Sequence, residues 1–181
     1  IDAPKAASIL RNRKGVGEAE LGLANEMAIN QFIAHHSVIF QPEKKRMWVS
    51  TAPWQCGKYV AYDLNRIFSD SIDFNHEIYT ENLTVPADSF LQQQEYQQLM
   101  TYKRLAPVLR KQIKKKERLD EQTLHAFQHA NPHFFYVYEL LGDYYHATGQ
   151  QDKALRNWKK ALLLPIPKRS ESERIEHKIN N

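Results

Sequence analysis

Three groups of residues in this chain of 181 have the types and spacing for chemistry. His35-His36-Ser37 sets two imidazoles beside a hydroxyl, the ingredients of a nucleophile and its base. The run around them, FIAHHSVIFQ from Phe32 to Gln41, reads as a strand. On a strand His35 and His36 point to opposite faces, so at most one can share a pocket with a given partner. A Ser-His-Asp hydrolase also needs a sharp turn of the G-x-S-x-G kind, and the sequence has none. The ordinary reading is a histidine satisfied by hydrogen bonds in a sheet. His125 and His129 stand four apart on an expected helix, with His133 beyond. Ala126 occupies the place of the glutamate in a zinc-binding HExxH helix, and no Asp, Glu or Cys set completes a ligand shell. No metal and no cofactor is therefore expected. From Lys103 to Arg118, eight Lys/Arg and one Glu interleave with Leu105, Val108, Leu109 and Ile113. This amphipathic basic stretch suits an anionic membrane surface or nucleic acid in charge alone. No stacking platform or reader motif accompanies it, so a solvated helix face is expected instead of a nucleic-acid interface.

The rest of the composition bounds these readings. At 42% hydrophobic and 25% charged, the chain has the material for an ordinary packed core. That excludes disorder, collagen-like repeats and a disulfide scaffold, and the lone Cys56 cannot form an internal bridge or a Cys-rich zinc site. No apolar run approaches the ~18 residues that cross a bilayer. The formal charge of +4 is uneven: residues 1–90 carry nine Lys/Arg against eleven Asp/Glu, and residues 91–181 carry sixteen against ten. The positive excess is local to the second half. The chain opens Ile1-Asp2-Ala3-Pro4, with neither an initiator Met nor a signal-peptide pattern, a start expected of a piece of a longer protein. Neither this start nor one cysteine reports a compartment.

The elements that must position these groups divide near residues 80–88. Lys5 to Lys14 fits a short helix closed by Gly15. FIAHHSVIFQ, RMWVST and KYVAYDL have strand character, and a polar break at Pro42–Lys45 joins the first two into a hairpin. Residues 67–86 read as a long polar connection in which the Asn82-Leu83-Thr84 sequon is a chance match. From Ala87 onward the pattern is helical. Phe90, Leu91, Tyr96, Leu99, Met100, Tyr102 and Leu105 recur at steps of mostly three and four. Pro107 should kink or break that helix, a further one should follow from Val108, and Asp120 should cap the next, up to Asn131-Pro132. The expected class is α+β: a small antiparallel β segment within 1–80, then an all-α tail over 87–181.

The most specific pattern spans residues 135–167. Tyr138, Leu141, Gly142 and Tyr145 are spaced 3, 1 and 3 on one helix, and Gly149 ends it. Ala154, Trp158 and Ala161 mark the next, closed by Pro165 and Pro167. This resembles the tetratricopeptide repeat. Gly142 and Ala154 would let two antiparallel helices approach, with Tyr138, Tyr145 and Trp158 filling the space around them. A preceding unit is degenerate: Pro132 lies 34 residues before Ile166, but Asp120, Leu124 and Phe127 echo the pattern loosely. SESERIEHKI suits a polar outer cap. Such arrays bind peptides in a groove when about three repeats are present, so one repeat reads first as a packing element.

From Asp2 to Phe68 a second resemblance appears. ANEMAINQFIAHHSVIFQP and RMWVSTAPWQCGKYVAYDL resemble the carboxy-terminal segment of proteins similar to acyl-coenzyme A:6-aminopenicillanic acid acyltransferase, which are N-terminal-nucleophile hydrolases. The resemblance implies a four-layer αββα sandwich, of which this β segment would be a remnant. It also implies self-cleavage that exposes an N-terminal Cys, whose thiolate attacks an amide or thioester carbonyl while the freed α-amine moves the proton. Ile1 is not that Cys, and Cys56 lies inside the matching segment, so the catalytic Cys would be encoded upstream and this chain alone would be inert. Asn25, Asn30 and His36 would be pocket-lining polar groups of the intact enzyme. The partners so implied are the upstream part of the same protein and, through strand edges left unpaired, a second copy. Two other classes stay open: a protein-binding module built on the helical tail, and a basic binder of nucleic acid or membrane surface.

Overall fold

Asp2 and Pro4 begin the first helix. In the computed structural model, which describes residues 1–69, 73 and 75–181, Asp2 caps α1 (Ala3–Leu10), its carboxylate accepting the Lys5 N–H at 2.9 Å. Pro4 sits in the first turn, where no N–H is needed. The helix ends at Leu10, short of the expected Lys14. The reason is Arg11, whose guanidinium leaves the helix to donate to the carbonyls of Gly57 at 2.7 Å and Pro86 at 2.8 Å.

The fold is α+β, with a small antiparallel sheet and a helical tail. The strands are β1 (Val38–Gln41), β2 (Arg46–Ser50) and β3 (Tyr59–Asp63), in the order β1-β2-β3. The register sets Ile39 opposite Trp48, and Trp48 opposite Ala61. Alternation sends Trp48 and Ser50 of β2, with Tyr59 and Ala61 of β3, to the buried face. There Ala3 and Ala7 of α1 complete a core with Val85, their small side chains allowing the helix close to the sheet. Trp48 keeps its indole N–H satisfied on the Leu83 carbonyl at 2.8 Å. A short α2 (Leu64–Ile67) follows β3.

The first strand begins at Val38, not Phe32. Asn30 Oδ1 accepts the Phe32 N–H at 3.0 Å, an Asx-turn that holds Phe32 at φ 55° with its ring packed on Phe90. His35 and His36 therefore lie on a loop and are both exposed, so opposite faces of a strand do not describe them. Of the polar connection read over 67–86, Asp70, Ser71, Ile72 and Phe74 lie outside the described residues.

The tail consists of α3 (Gln94–Lys115), α4 (Glu121–Ala130), α5 (Phe135–Ala147), α6 (Gln151–Leu162) and α7 (Arg169–Asn180). Helix α3 packs on α4 and α5, α5 on α6, and α6 on α7. Pro107 neither ends nor divides α3. A proline ring is tolerated there because Leu99, Tyr102, Leu105, Ala106 and Leu109 form one buried stripe across it, while Pro107 faces solvent. Ala87 to Gln93 are not part of that helix: Phe90 is buried beside Phe32 instead. Asp120 caps α4 through the Thr123 N–H at 2.7 Å.

Contacts divide the chain into two units. The first is Ile1–Arg13 with Ile29–Gln92, and the second is Lys14–Ala28 with Gln93–Asn181. A segment from the first half of the sequence thus belongs to the helical unit.

Candidate functional site

In the first unit, the polar groups gather around the loop between β2 and β3. Cys56 and Asn30 are fully buried side by side, with Asn30 Nδ2 donating to Cys56 Sγ and to the Trp54 carbonyl, both at 3.3 Å. Burial pushes the Cys56 thiol up, and the Asn30 hydrogen bond opposes this only in part. A buried, protonated thiol is a packing group, not a nucleophile. Gln55, also buried, donates to the Leu10 carbonyl at 3.1 Å. Arg13 pairs with Asp88 at 2.6 Å and lies over the Phe90 ring. Asn30 is thus an organiser of this loop.

Ser37 does not meet an imidazole. Its hydroxyl is hydrogen-bonded to Tyr59 Oη and to Ser50 Oγ, and its N–H donates to Ser50 Oγ at 2.8 Å. Burial holds the Tyr59 phenol above its ordinary range, against the opposing Ser37 hydrogen bond and the Arg11 guanidinium over its ring. This hydroxyl chain was not legible as a unit, since its members come from three separate runs. It supplies hydrogen-bond donors and has no base within it.

A cavity of about 500 Å³ opens near β1 and α2, lined by Phe40, Lys45, Arg46, Leu64 and Phe68 among others. Its size is that of small-molecule pockets. Asn25, Asn30 and His36 do not line it.

Asn25 is not with Asn30 or His36; it belongs to the helical unit. It is fully buried, donating from Nδ2 to the carbonyls of Leu21 at 3.0 Å and Pro165 at 3.1 Å, while Oδ1 accepts the Met27 N–H at 3.0 Å. Every polar atom of that side chain is thereby committed to backbone.

The repeat residues meet as one packed hairpin. Leu141 and Gly142 on α5 and Ala154, Trp158 and Ala161 on α6 are all buried. Gly142 is where the helices touch: a Cβ there would lie 2.3 Å from Trp158 Cδ1. Trp158 Nε1 donates to Asp143 Oδ1 at 3.0 Å. Tyr138 is buried and donates from its hydroxyl to the Pro132 carbonyl at 3.1 Å. Tyr145 is half-buried under the Lys153 ammonium, and the neighbouring Tyr144 takes the core position, accepting the Leu119 N–H at 2.7 Å. Gly149, at φ 76°, ends the helix.

Two features of this unit escaped the sequence reading. Tyr102, Leu105, Ala106 and Leu109, all buried on α3, repeat the 3, 1, 3 spacing of Tyr138, Leu141, Gly142 and Tyr145. Thr123, Phe127 and Ala130 on α4 repeat the 4, 3 spacing of Ala154, Trp158 and Ala161. The signal was present, hidden by treating Pro107 as a break. The second is Glu139, buried on α5 and bound by Arg174 and Lys178 of α7, all at 2.8 Å. Lys178 also reaches Asp143 at 2.8 Å.

Among the described residues, no group of three or more His, Cys, Asp or Glu is placed to hold a metal ion. The His125 and His129 rings stack at 3.8 Å, with His129 Nδ1 turned 2.9 Å from the His125 carbonyl. The basic residues of α3 from Arg110 are exposed, and Arg110 lies over the Tyr136 ring. No described helix is long and apolar enough to cross a membrane. No family model, curated protein or solved structure matches the chain.

Proposed function

We propose that this chain is the non-catalytic carboxy-terminal portion of an N-terminal-nucleophile amide hydrolase or acyltransferase. In this reading it contributes sheet strands of an αββα sandwich and a tetratricopeptide-like helical tail, while the nucleophile comes from another segment of the same protein. The observation that carries the reading is the sheet edge. Among the described residues β1 pairs with β2 alone, and Phe40 on that strand is 66% exposed. A three-stranded sheet with an open, apolar edge is a surface that accepts further strands. The resemblance over Asp2–Phe68 names the class of sheet. The chemistry agrees with a supporting role: Cys56 is buried and protonated, and Ser37 has hydroxyl partners only.

The test compares this chain with the longer reading frame that contains it, using amide and thioester substrates and a thiol-alkylating reagent. The expected result is alkylation-sensitive turnover by the longer protein, retained after Cys56→Ala, and none by residues 1–181. The isolated chain should also self-associate, and Phe40→Lys at the open edge should return it towards monomer. Turnover by the isolated chain, or none by the longer protein, would overturn the proposal.

A further inference from the structure

Residues 19–28 form no helix or strand, yet the helical unit buries Leu21, Asn25 and Ala28 of this segment. The grip is made by turns. Asn131, 3% exposed at the turn from α4 to α5, spends its whole side-chain amide on the backbone of Leu23. Its Oδ1 accepts the Leu23 N–H at 2.9 Å, and its Nδ2 donates to the Leu23 carbonyl at 2.7 Å. This is the pairing that a neighbouring strand would give, and it is indifferent to the Leu23 side chain. One residue earlier, Gly22 at φ 78° lies so close to Phe134 that a Cβ would sit within 2.6 Å of its N, Cα and Cβ. Two residues later, Asn25 reaches the Pro165 carbonyl in the turn from α6 to α7. Asn131 and Pro165 lie in the turns that follow successive hairpins, α3–α4 and α5–α6. At the rim, Glu26 pairs with Lys168 of the same turn.

We propose that this row of inter-hairpin turns is a binding site for a peptide in a turn conformation, and that residues 21–26 of the chain, with turns at Leu23–Ala24 and positive φ at Gly22 and Ala24, are its tethered occupant. The ligand it fits has an aliphatic residue, glycine next, asparagine four positions after the aliphatic one, and an acidic residue following: Leu21-Gly22-x-x-Asn25-Glu26. The aliphatic side chain is buried, packing beside Gly15 of the same segment, and glycine permits the approach to Phe134. Asparagine locks the peptide to the second turn, and the acid answers Lys168. Leu21, Asn25 and Ala28 are the side chains buried here, while Glu26 and Met27 are exposed, and release of the segment by a local opening with the helices still folded is part of the proposal.

The test uses the full chain with its own segment disabled by Leu21→Ser and Asn25→Ala, and a fluorescent peptide of residues 14–28. The disabled chain should bind the peptide saturably, about tenfold or more tighter than the unaltered chain, whose site is filled. Adding Asn131→Ala should abolish binding. Equal binding with and without Asn131→Ala, or no binding by a disabled chain that melts like the parent, would overturn the proposal. Should the disabled chain not fold, hydrogen exchange of the unaltered chain decides. The Leu23 amide should exchange by a local opening ahead of the Leu141 amide in α5. Exchange of Leu23 only together with Leu141 would overturn the proposal.

Discussion

The Glu139 carboxylate accepts both guanidinium hydrogen bonds of Arg174, each at 2.8 Å, from a helix 35 residues further on. It is 2% exposed, and Lys178 adds a third donor. Helix α7 is mostly polar: Ile175 is its one fully buried residue, and Ile179 is half-buried. The charge cluster therefore decides whether this last helix docks, because one fully buried aliphatic side chain contributes only about 1.5–3 kcal/mol.

Acidification should release α7. Burial alone would raise the Glu139 carboxyl, but the hydrogen bonds from Arg174 and Lys178 outweigh it and hold the group below its ordinary 4.5. A carboxyl lowered in the folded state stabilises fully above its unfolded value, and that stability is lost as pH falls through the folded value. Glu139→Gln should cost about 1–3 kcal/mol at pH 7, less than a fully buried pair because Arg174 can rehydrate. Urea melts at pH 7 and below pH 4 check this: the gap between parent and variant should close at the lower pH. A constant gap would mean that the carboxylate charge is not what holds α7.

Gly142 and Trp158 should be energetically coupled. A Cβ on residue 142 would lie 2.3 Å from Trp158 Cδ1 and 2.4 Å from Nε1. Gly142→Ala should therefore cost about 1–3 kcal/mol by overpacking, despite alanine's better helix propensity. With Trp158→Leu in the background the indole is gone, and the same substitution should become near-neutral. A double-mutant cycle by thermal or urea melts measures the difference. Additive costs would show that the hairpin tolerates the methyl by other adjustments.

What the sequence disclosed and what it concealed follow from the range of the interactions. Asp120 as a cap, Gly149 as a stop and the strand character of RMWVST and KYVAYDL are local, so residue type and spacing sufficed. The start of β1 was misplaced because Phe32 turns out of the strand to pack on Phe90, far along the chain. Glu139 carries no signal in the sequence, because its cations Arg174 and Lys178 lie 35 and 39 residues further on. Residues 14–28 carry no period at all, since their conformation is imposed by Asn131 and Pro165. Asn25 and Asn30 were singled out as polar groups of a pocket. The structure spends Asn25 on backbone and Asn30 on backbone and the Cys56 thiol, in different units.

Pro107→Ala should stabilise the helical unit. Pro107 is exposed within α3, where it forfeits one backbone hydrogen bond and crowds the preceding turn, a defect of up to ~3 kcal/mol in a regular helix. The buried stripe from Leu99 to Leu109 holds the helix together regardless, so relief of the defect should appear as a gain of about 1–3 kcal/mol in urea melts. A loss of stability would show that the Pro107 ring contributes to the helical unit more than its missing hydrogen bond costs.

Cys56 should be chemically silent in the folded chain. Its thiol is fully buried, burial raises its pKa, and Asn30 Nδ2 donates to its sulfur. Reaction with a small disulfide reagent at pH 8 should run at least about a hundredfold slower than for a free thiol, a factor that an opening free energy of ~2.7 kcal/mol imposes. The rate should rise with urea below the unfolding midpoint, because access requires the Ala52–Gly57 loop to open. Asn30→Ala should speed labelling more than it lowers overall stability, since it loosens this loop directly. Rapid labelling of the native chain would place Cys56 at an accessible site and would reopen it as a nucleophile. Slow labelling leaves the thiol as packing and places any nucleophilic chemistry of this protein outside Cys56.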